Sequence, residues 1–238
     1  PTEWNALKLL DENGEFLNSD EGEKIIKISE SKNFIFSNVH ELGKVIKSYD
    51  SMKKHIDSVL DLSLVDIEKI KAKKIKVVVD AVNSTGGIIV PDFLKELNIE
   101  VIKLYCEPNG DFPHNPEPLK KNLTELSKMV VECNADLGIA VDPDVDRLVF
   151  VCEDGELFGE ENTLVACADY VLSKTPGSTV SNLSSSRALN DISKKHNQSH
   201  FYSAVGEVNV VDKMKECNAI IGGEGNGGVI YPESHYGR

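Results

Sequence analysis

Three aspartates alternate over five positions in Asp142-Pro143-Asp144-Val145-Asp146, and Arg147 follows directly. Acids this close repel one another unless a cation neutralises them. Alternate residues of a loop can converge their oxygens on one point, and hard oxygen donors suit Mg²⁺. Arg147 adds a fixed positive fork of the kind that grips a phosphate. An open metal site beside a phosphate-ready Arg points to phosphoryl chemistry. The apolar runs on either side, residues 137–141 and 148–151, are rich in Ile and Val and read as buried strands flanking a tight loop.

Other readings of that loop have to be weighed. Asp142, Asp144, Asp146 and Glu153 match positions of an EF-hand calcium loop, but Arg147 stands where that loop needs Gly, and both flanks read as strands. An aspartyl-phosphate phosphatase also places its nucleophile after an apolar strand. The third Asp and the Arg fit a metal cradle better. A plain solvated acidic turn loses to the apolar runs that bury its surroundings.

The second constellation is glycine-rich: Gly222-Gly223-Glu224-Gly225-Asn226-Gly227-Gly228. It contains G-x-G-x-x-G, yet Val229-Ile230-Tyr231-Pro232 follows instead of the helix a dinucleotide site requires. The better expectation is a loop whose glycines let the backbone approach a ligand, presenting Glu224 and Asn226 as acceptor and donor to sugar hydroxyls. Residues 184–187, ending in Arg187, stand at an expected helix N-terminus, which favours anions or simple Ser capping. Residues 83–87 read as a structural strand-to-helix turn, and His196 and His200 as surface residues.

Positioning these groups calls for a sheet with ligands at the carboxyl ends of its strands. Residues 6–10 and the turn at 11–14 suggest a hairpin, followed by a helix carrying Ile25, Ile26 and Ile28. Helical spacing recurs at Val45, Ile46, Tyr49, Met52, Ile56 and Leu60, and at Val65, Ile67 and Ile70. Strands are expected at 75–79, 100–104, 137–141, 179–183, 201–205 and 219–221. Helices are expected at 88–97, 119–133, 163–172, 188–195 and 208–217. This alternation predicts an α/β class of tandem α/β/α domains with mixed, mostly parallel sheets. The expected division is a first-domain remnant at 1–41, a metal-binding domain at 42–155 and a truncated sugar-binding domain at 156–238.

The whole chain sets limits on function. Its 238 residues suit roughly two domains, and a net charge of −13 argues against a nucleic-acid partner. No apolar stretch approaches a membrane span, and no signal-peptide pattern opens the chain. Five cysteines without a C-x-x-C pair suggest reduced thiols in a cytoplasmic protein.

D-P-D-x-D-R after an apolar strand, with G-G-E-x-x-G-G some eighty residues on, resembles the α-D-phosphohexomutase superfamily. Val77-Val78-Val79-Asp80 is similar to the opening strand of that family's second domain, and Phe112-Pro113-His114-Asn115-Pro116-Glu117-Pro118 to its proline-rich loop. Pro1-Thr2-Glu3-Trp4-Asn5-Ala6-Leu7-Lys8 resembles the segment after the active-site Ser-His-Asn-Pro. The resemblance implies a phosphoserine just ahead of Pro1 and a bisphosphorylated sugar intermediate. It also implies Mg²⁺ on Asp142, Asp144 and Asp146, with Arg147 touching the phosphoserine. Glu224 and Asn226 would face a phosphorylated hexose, and Arg187 would contact the substrate phosphate. The chain is then expected to lack most of domain 1 and all of domain 4 and to be inactive alone. Asn226, together with the Trp4-Asn5-Ala6-Leu7-Lys8 opening, leans the resemblance toward phosphoglucosamine mutase. A Mg²⁺-dependent phosphate-binding module and a phosphatase remain as alternatives.

Overall fold

The computed structural model describes residues 7–47 and 49–237, so Ala6 of the expected first strand and the motif residues 1–6 lie outside the described residues. The chain enters through a small turn: Leu10 and Phe16 form a single antiparallel bridge, short of the full hairpin expected. Helix α1 (Ser19–Ser31) starts on a capping box in which Asn18 and Glu21 exchange side-chain-to-backbone hydrogen bonds. Its Ile25, Ile26 and Ile28 are exposed.

The next helix is shorter than its apolar spacing predicts. Helix α2 (Ser51–Leu60) excludes Val45, Ile46 and Tyr49, all exposed. Short helices depend on tertiary packing, and these side chains pack on nothing described. Helix α3 (Ile67–Lys71) starts after an Asp66 cap and leaves Val65 outside.

Two α/β units of identical topology follow. In the first, β1 (Lys76–Asp80), β2 (Glu100–Leu104) and β3 (Leu137–Val141) are parallel, and β4 (Leu148–Cys152) runs back against β3. Spatial order is β2-β1-β3-β4. Helix α4 (Gly86–Glu96) covers one face through Leu94, and α5 (Thr124–Glu132) the other through Leu126 and Val130. Val77, Val78 and Val79 are therefore buried consecutively, which is why β1 reads as an unbroken apolar run. Each such burial contributes roughly 1.5–3 kcal/mol. The helix expected at 119–133 is broken at Leu123, with only a 3₁₀ turn at Lys120–Asn122 ahead of it. Asn122 Nδ2 donates to Glu117 O at 2.8 Å, a local bond that competes with helix.

Helix α6 (Glu160–Lys174) leads into the second unit, where β5 (Thr179–Asn182), β6 (His200–Ser203), β7 (Ile221–Glu224) and β8 (Gly228–Ile230) take the order β6-β5-β7-β8. Again three strands are parallel and the last is antiparallel. Helix α7 (Ala188–Lys195) and α6 cover one face through Leu164, Ala168 and Leu189; α8 (Glu207–Cys217) covers the other through Val210 and Met214. The glycine segment is thus mostly strand and hairpin rather than loop: only residues 225–227 lie between β7 and β8.

The histidines differ from expectation. His196, C-capping α7, bonds Asp169 on α6 at 2.6 Å. His200 is half-buried on β6 between Thr179 Oγ1 (2.8 Å) and Ser181 Oγ (3.2 Å). All five cysteines are free thiols. Among the described residues no helix is long and apolar enough to cross a membrane.

Candidate metal centre and adjoining hairpin

The Asp loop leaves β3 at its carboxyl end. Asp142 is buried, Asp146 has a side chain only 12% exposed, and Asp144 is half-exposed. One oxygen from each lies within 4.8 Å of the others. Val145 brings them together by adopting a left-handed backbone (φ 65°), rare for a β-branched residue and a mark of local strain. Its amide donates to Asp142 O at 3.1 Å, closing the turn. From the neighbouring strand-to-helix turn, Ser84 Oγ and Thr85 Oγ1 both donate to Pro143 O, at 2.6 and 3.0 Å. The structural role expected for residues 83–87 is therefore to brace the Asp loop.

Charge in the loop is tightly confined. Arg147 N donates to Asp142 Oδ1 at 3.1 Å, and its buried Nε lies 3.6 Å from Asp142 Oδ2 and 3.7 Å from Asp146 Oδ1. Burial, then repulsion from Asp146 and Asp144, pushes the Asp142 carboxyl up to about 7. Lys8 reaches in from the N-terminal turn: its ammonium hydrogen-bonds Asp144 and lies 3.0 Å from Asp146 Oδ2. Burial pulls the Lys8 pKa down, but the bonds to the two carboxylates outweigh it and hold the pKa above its ordinary value. Three hard carboxylates within 4.8 Å of one another, two of them contacted by Lys8, fit a divalent metal. Nothing in the sequence brought Lys8 to this loop, because the contact spans 136 positions.

Asp144, Asp146 and Lys8 line a cavity of about 870 Å³, as do Val211, Lys215 and Tyr231 of the second unit. Glu224, Asn226 and Arg187 are not among its walls. They belong instead to segments linked to the Asp loop and to one another by hydrogen bonds. Leu148 N donates to Gly227 O at 3.0 Å, joining the 225–227 turn to the strand after the Asp loop. Glu224 is buried, with Oε1 accepting from Asn182 Nδ2 (2.6 Å) and Gly206 N (3.2 Å), while Asn226 Nδ2 lies 3.4 Å from Oε2. Asn226 Oδ1 accepts from Gly228 N. Arg187 has a 79% exposed side chain, 3.7 Å from Asp191. Its loop adjoins the hairpin, for Gly225 N donates to Ser185 Oγ at 2.9 Å.

The turn between β3 and β4 and the turn between β7 and β8 occupy the same place in the two repeated units, so the acids and the glycine hairpin are topological counterparts. Their bracing corresponds as well, a serine after the first strand holding each turn: Ser84 on Pro143, Ser185 on Gly225.

Comparisons with known proteins agree with this architecture. Residues 53–155 match the family model described as phosphoglucomutase/phosphomannomutase, alpha/beta/alpha domain II, and residues 160–238 match its domain III. The chain is 35% identical over 240 residues to a phosphoglucomutase/phosphomannomutase of Thermococcus kodakarensis, covering 100% of this chain and 52% of that protein. It is 32% identical over 237 residues to a "Probable phosphoglucosamine mutase" of Methanopyrus kandleri, covering 99% and 51%. Among solved structures, a phosphoglucomutase/phosphomannomutase family protein from Burkholderia thailandensis superposes with a TM-score of 0.76 at 25% identity, covering 93% of this chain and 46% of that one. The chain spans about half the length of the curated relatives it matches. Two successive domain models, in order and over both repeated units, place this chain in the phosphoglucomutase/phosphomannomutase family of α-D-phosphohexomutases.

Proposed function

We propose that the whole protein interconverts hexose or hexosamine 1-phosphate and 6-phosphate through a phosphoserine and a bisphosphorylated sugar, in the cytoplasm, and that this chain supplies its metal and sugar sites. The observation that carries the reading is the convergence of Asp142, Asp144 and Asp146 within 4.8 Å at a strand end, with Asp144 and Asp146 lining a cavity of about 870 Å³. These carboxylates would hold Mg²⁺, which when bound neutralises phosphoryl charge and leaves phosphorus open to a sugar hydroxyl.

The chain's own residues do the rest by position and charge. Arg147, held between Asp142 and Asp146, directs a partly exposed guanidinium toward a phosphoryl oxygen. Glu224 and Asn226 set the polar face of the hairpin for sugar hydroxyls, and Arg187 is the substrate-phosphate contact. Homology to phosphosugar mutases favours this reading over a phosphatase using Asp142 as nucleophile, and supports a phosphorylated sugar as substrate.

The test is conversion of glucose 1-phosphate and glucosamine 1-phosphate to their 6-phosphates by the whole protein, with and without Mg²⁺. Turnover should require the metal and fall at least about a hundredfold in Asp144→Asn or Asp146→Asn, the scale of losing charge stabilisation in phosphoryl transfer. Metal-independent turnover, or full activity in both variants, rules the reading out.

A further inference from the structure

Glu161, in the first turn of α6, makes a contact that the roles above do not use. Both of its carboxylate oxygens accept from Ser186 N, at 2.8 and 3.1 Å, so the acid holds the loop that carries Arg187. The same carboxylate lies against Gly225: a Cβ at that position would come within 2.6 Å of Glu161 Oε1. Gly225 N in turn donates to Ser185 Oγ at 2.9 Å. One acidic side chain thus touches both the Arg187 loop and the 225–227 turn.

We propose that Glu161 is a positioning residue that locks these two segments into one phosphosugar-binding surface. Glu161 carries a charge-assisted bond to a backbone amide, stronger than a neutral one. Gly225 is needed for room rather than for backbone freedom, because its φ is not in the left-handed region. The proposal rests on the functional reading above for the ligand, while the lock itself is a property of the fold.

The experiment compares Glu161→Ala, Glu161→Gln and Gly225→Ala in this chain. Amide hydrogen exchange at Ser186 and Gly225 reports the lock, and titrations with glucose 1-phosphate and with Mg²⁺ report the two sites. Glu161→Ala and Gly225→Ala should speed Ser186 exchange by about ten- to a hundredfold, the effect of losing a charged hydrogen bond. Both should weaken glucose 1-phosphate about tenfold and leave Mg²⁺ affinity unchanged. Glu161→Gln keeps one acceptor oxygen and should stay within about threefold of the parent. Unchanged exchange and sugar binding in Glu161→Ala overturns the proposal. Tighter sugar binding in both Glu161 variants overturns it too, since the acid would then be a competitor for the phosphate. Should the parent chain bind no glucose 1-phosphate, the exchange rates alone decide whether the lock exists, and the functional reading is decided by turnover of the whole protein.

Discussion

The amide of Leu148 donates to the carbonyl of Gly227 at 3.0 Å, and this bond ties the glycine hairpin of the second unit to the strand that begins beside Arg147. The contact is backbone to backbone, so no side-chain property at either position advertises it.

Gly227 should tolerate no side chain. Its φ is +94°, and a Cβ there would stand 2.7 Å from Leu148 O. Gly227→Ala is expected to cost about 1–3 kcal/mol through backbone strain and a broken contact. Urea unfolding of the chain measures this. A midpoint equal to the parent's would show that the hairpin does not rest on Leu148.

Asp142 should make metal-free stability and metal affinity respond to pH in opposite directions. Its carboxyl is raised from 3.8 to about 7 by burial, with Asp146 and Asp144 adding to it. A folded pKa above the unfolded one gives stability that is complete below pH 3.8 and lost as pH rises through about 7. Asp142→Asn should therefore stabilise the metal-free chain at pH 8, on the order of 2 kcal/mol after discounting for solvent screening. The same substitution should abolish most Mg²⁺ binding. In the parent, Mg²⁺ affinity should fall up to about tenfold per unit as pH drops below about 7, because the proton competes for the ligand. Calorimetric titrations at pH 6, 7 and 8 would falsify this if affinity did not change.

Lys8 should compete with the metal. Its ammonium bonds Asp144 and Asp146, the most accessible part of the cradle. Lys8→Met is expected to tighten Mg²⁺ several-fold at low ionic strength, with the gain shrinking as salt screens the charge. Weaker binding in the variant would mean that Lys8 shapes the cradle instead of opposing the cation.

His200 should make the chain acid-sensitive. Burial, aided by the charge of Lys194, lowers its pKa from 6.5 to about 4. The unfolded chain then takes up a proton that the folded chain refuses, so stability falls as pH drops from about 6.5 toward about 4. His200→Asn should flatten that part of the stability profile by on the order of 1–2 kcal/mol, allowing for partial exposure. Chemical denaturation across this range is the measurement, and an unchanged slope contradicts it.

What the residues disclose in advance depends on the range of the forces involved. Val77 to Val79 and residues 137–141 announce buried parallel strands because both of their faces are covered, and the Asp loop announces its place at a strand end. Apolar spacing misleads at Val45, Ile46 and Tyr49, where no face among the described residues completes a helix. The glycines of 222–228 read as a loop because strand propensity is weak there, yet β7 is held by pairing with β5 and β8. Lys8, Glu161 and the buried setting of His200 stay hidden for a different reason. Each depends on atoms brought together by tertiary contact, and neither composition nor period records those.

Since one chain topology is drawn twice, the two halves differ at this place mainly through the length and lettering of a single reverse turn. Six residues with three acids sit at one such turn, and three residues dominated by glycine sit at the other. On the function proposed here, a change of ligand preference would need only a new tip on that turn, with cores and serine props left as they are.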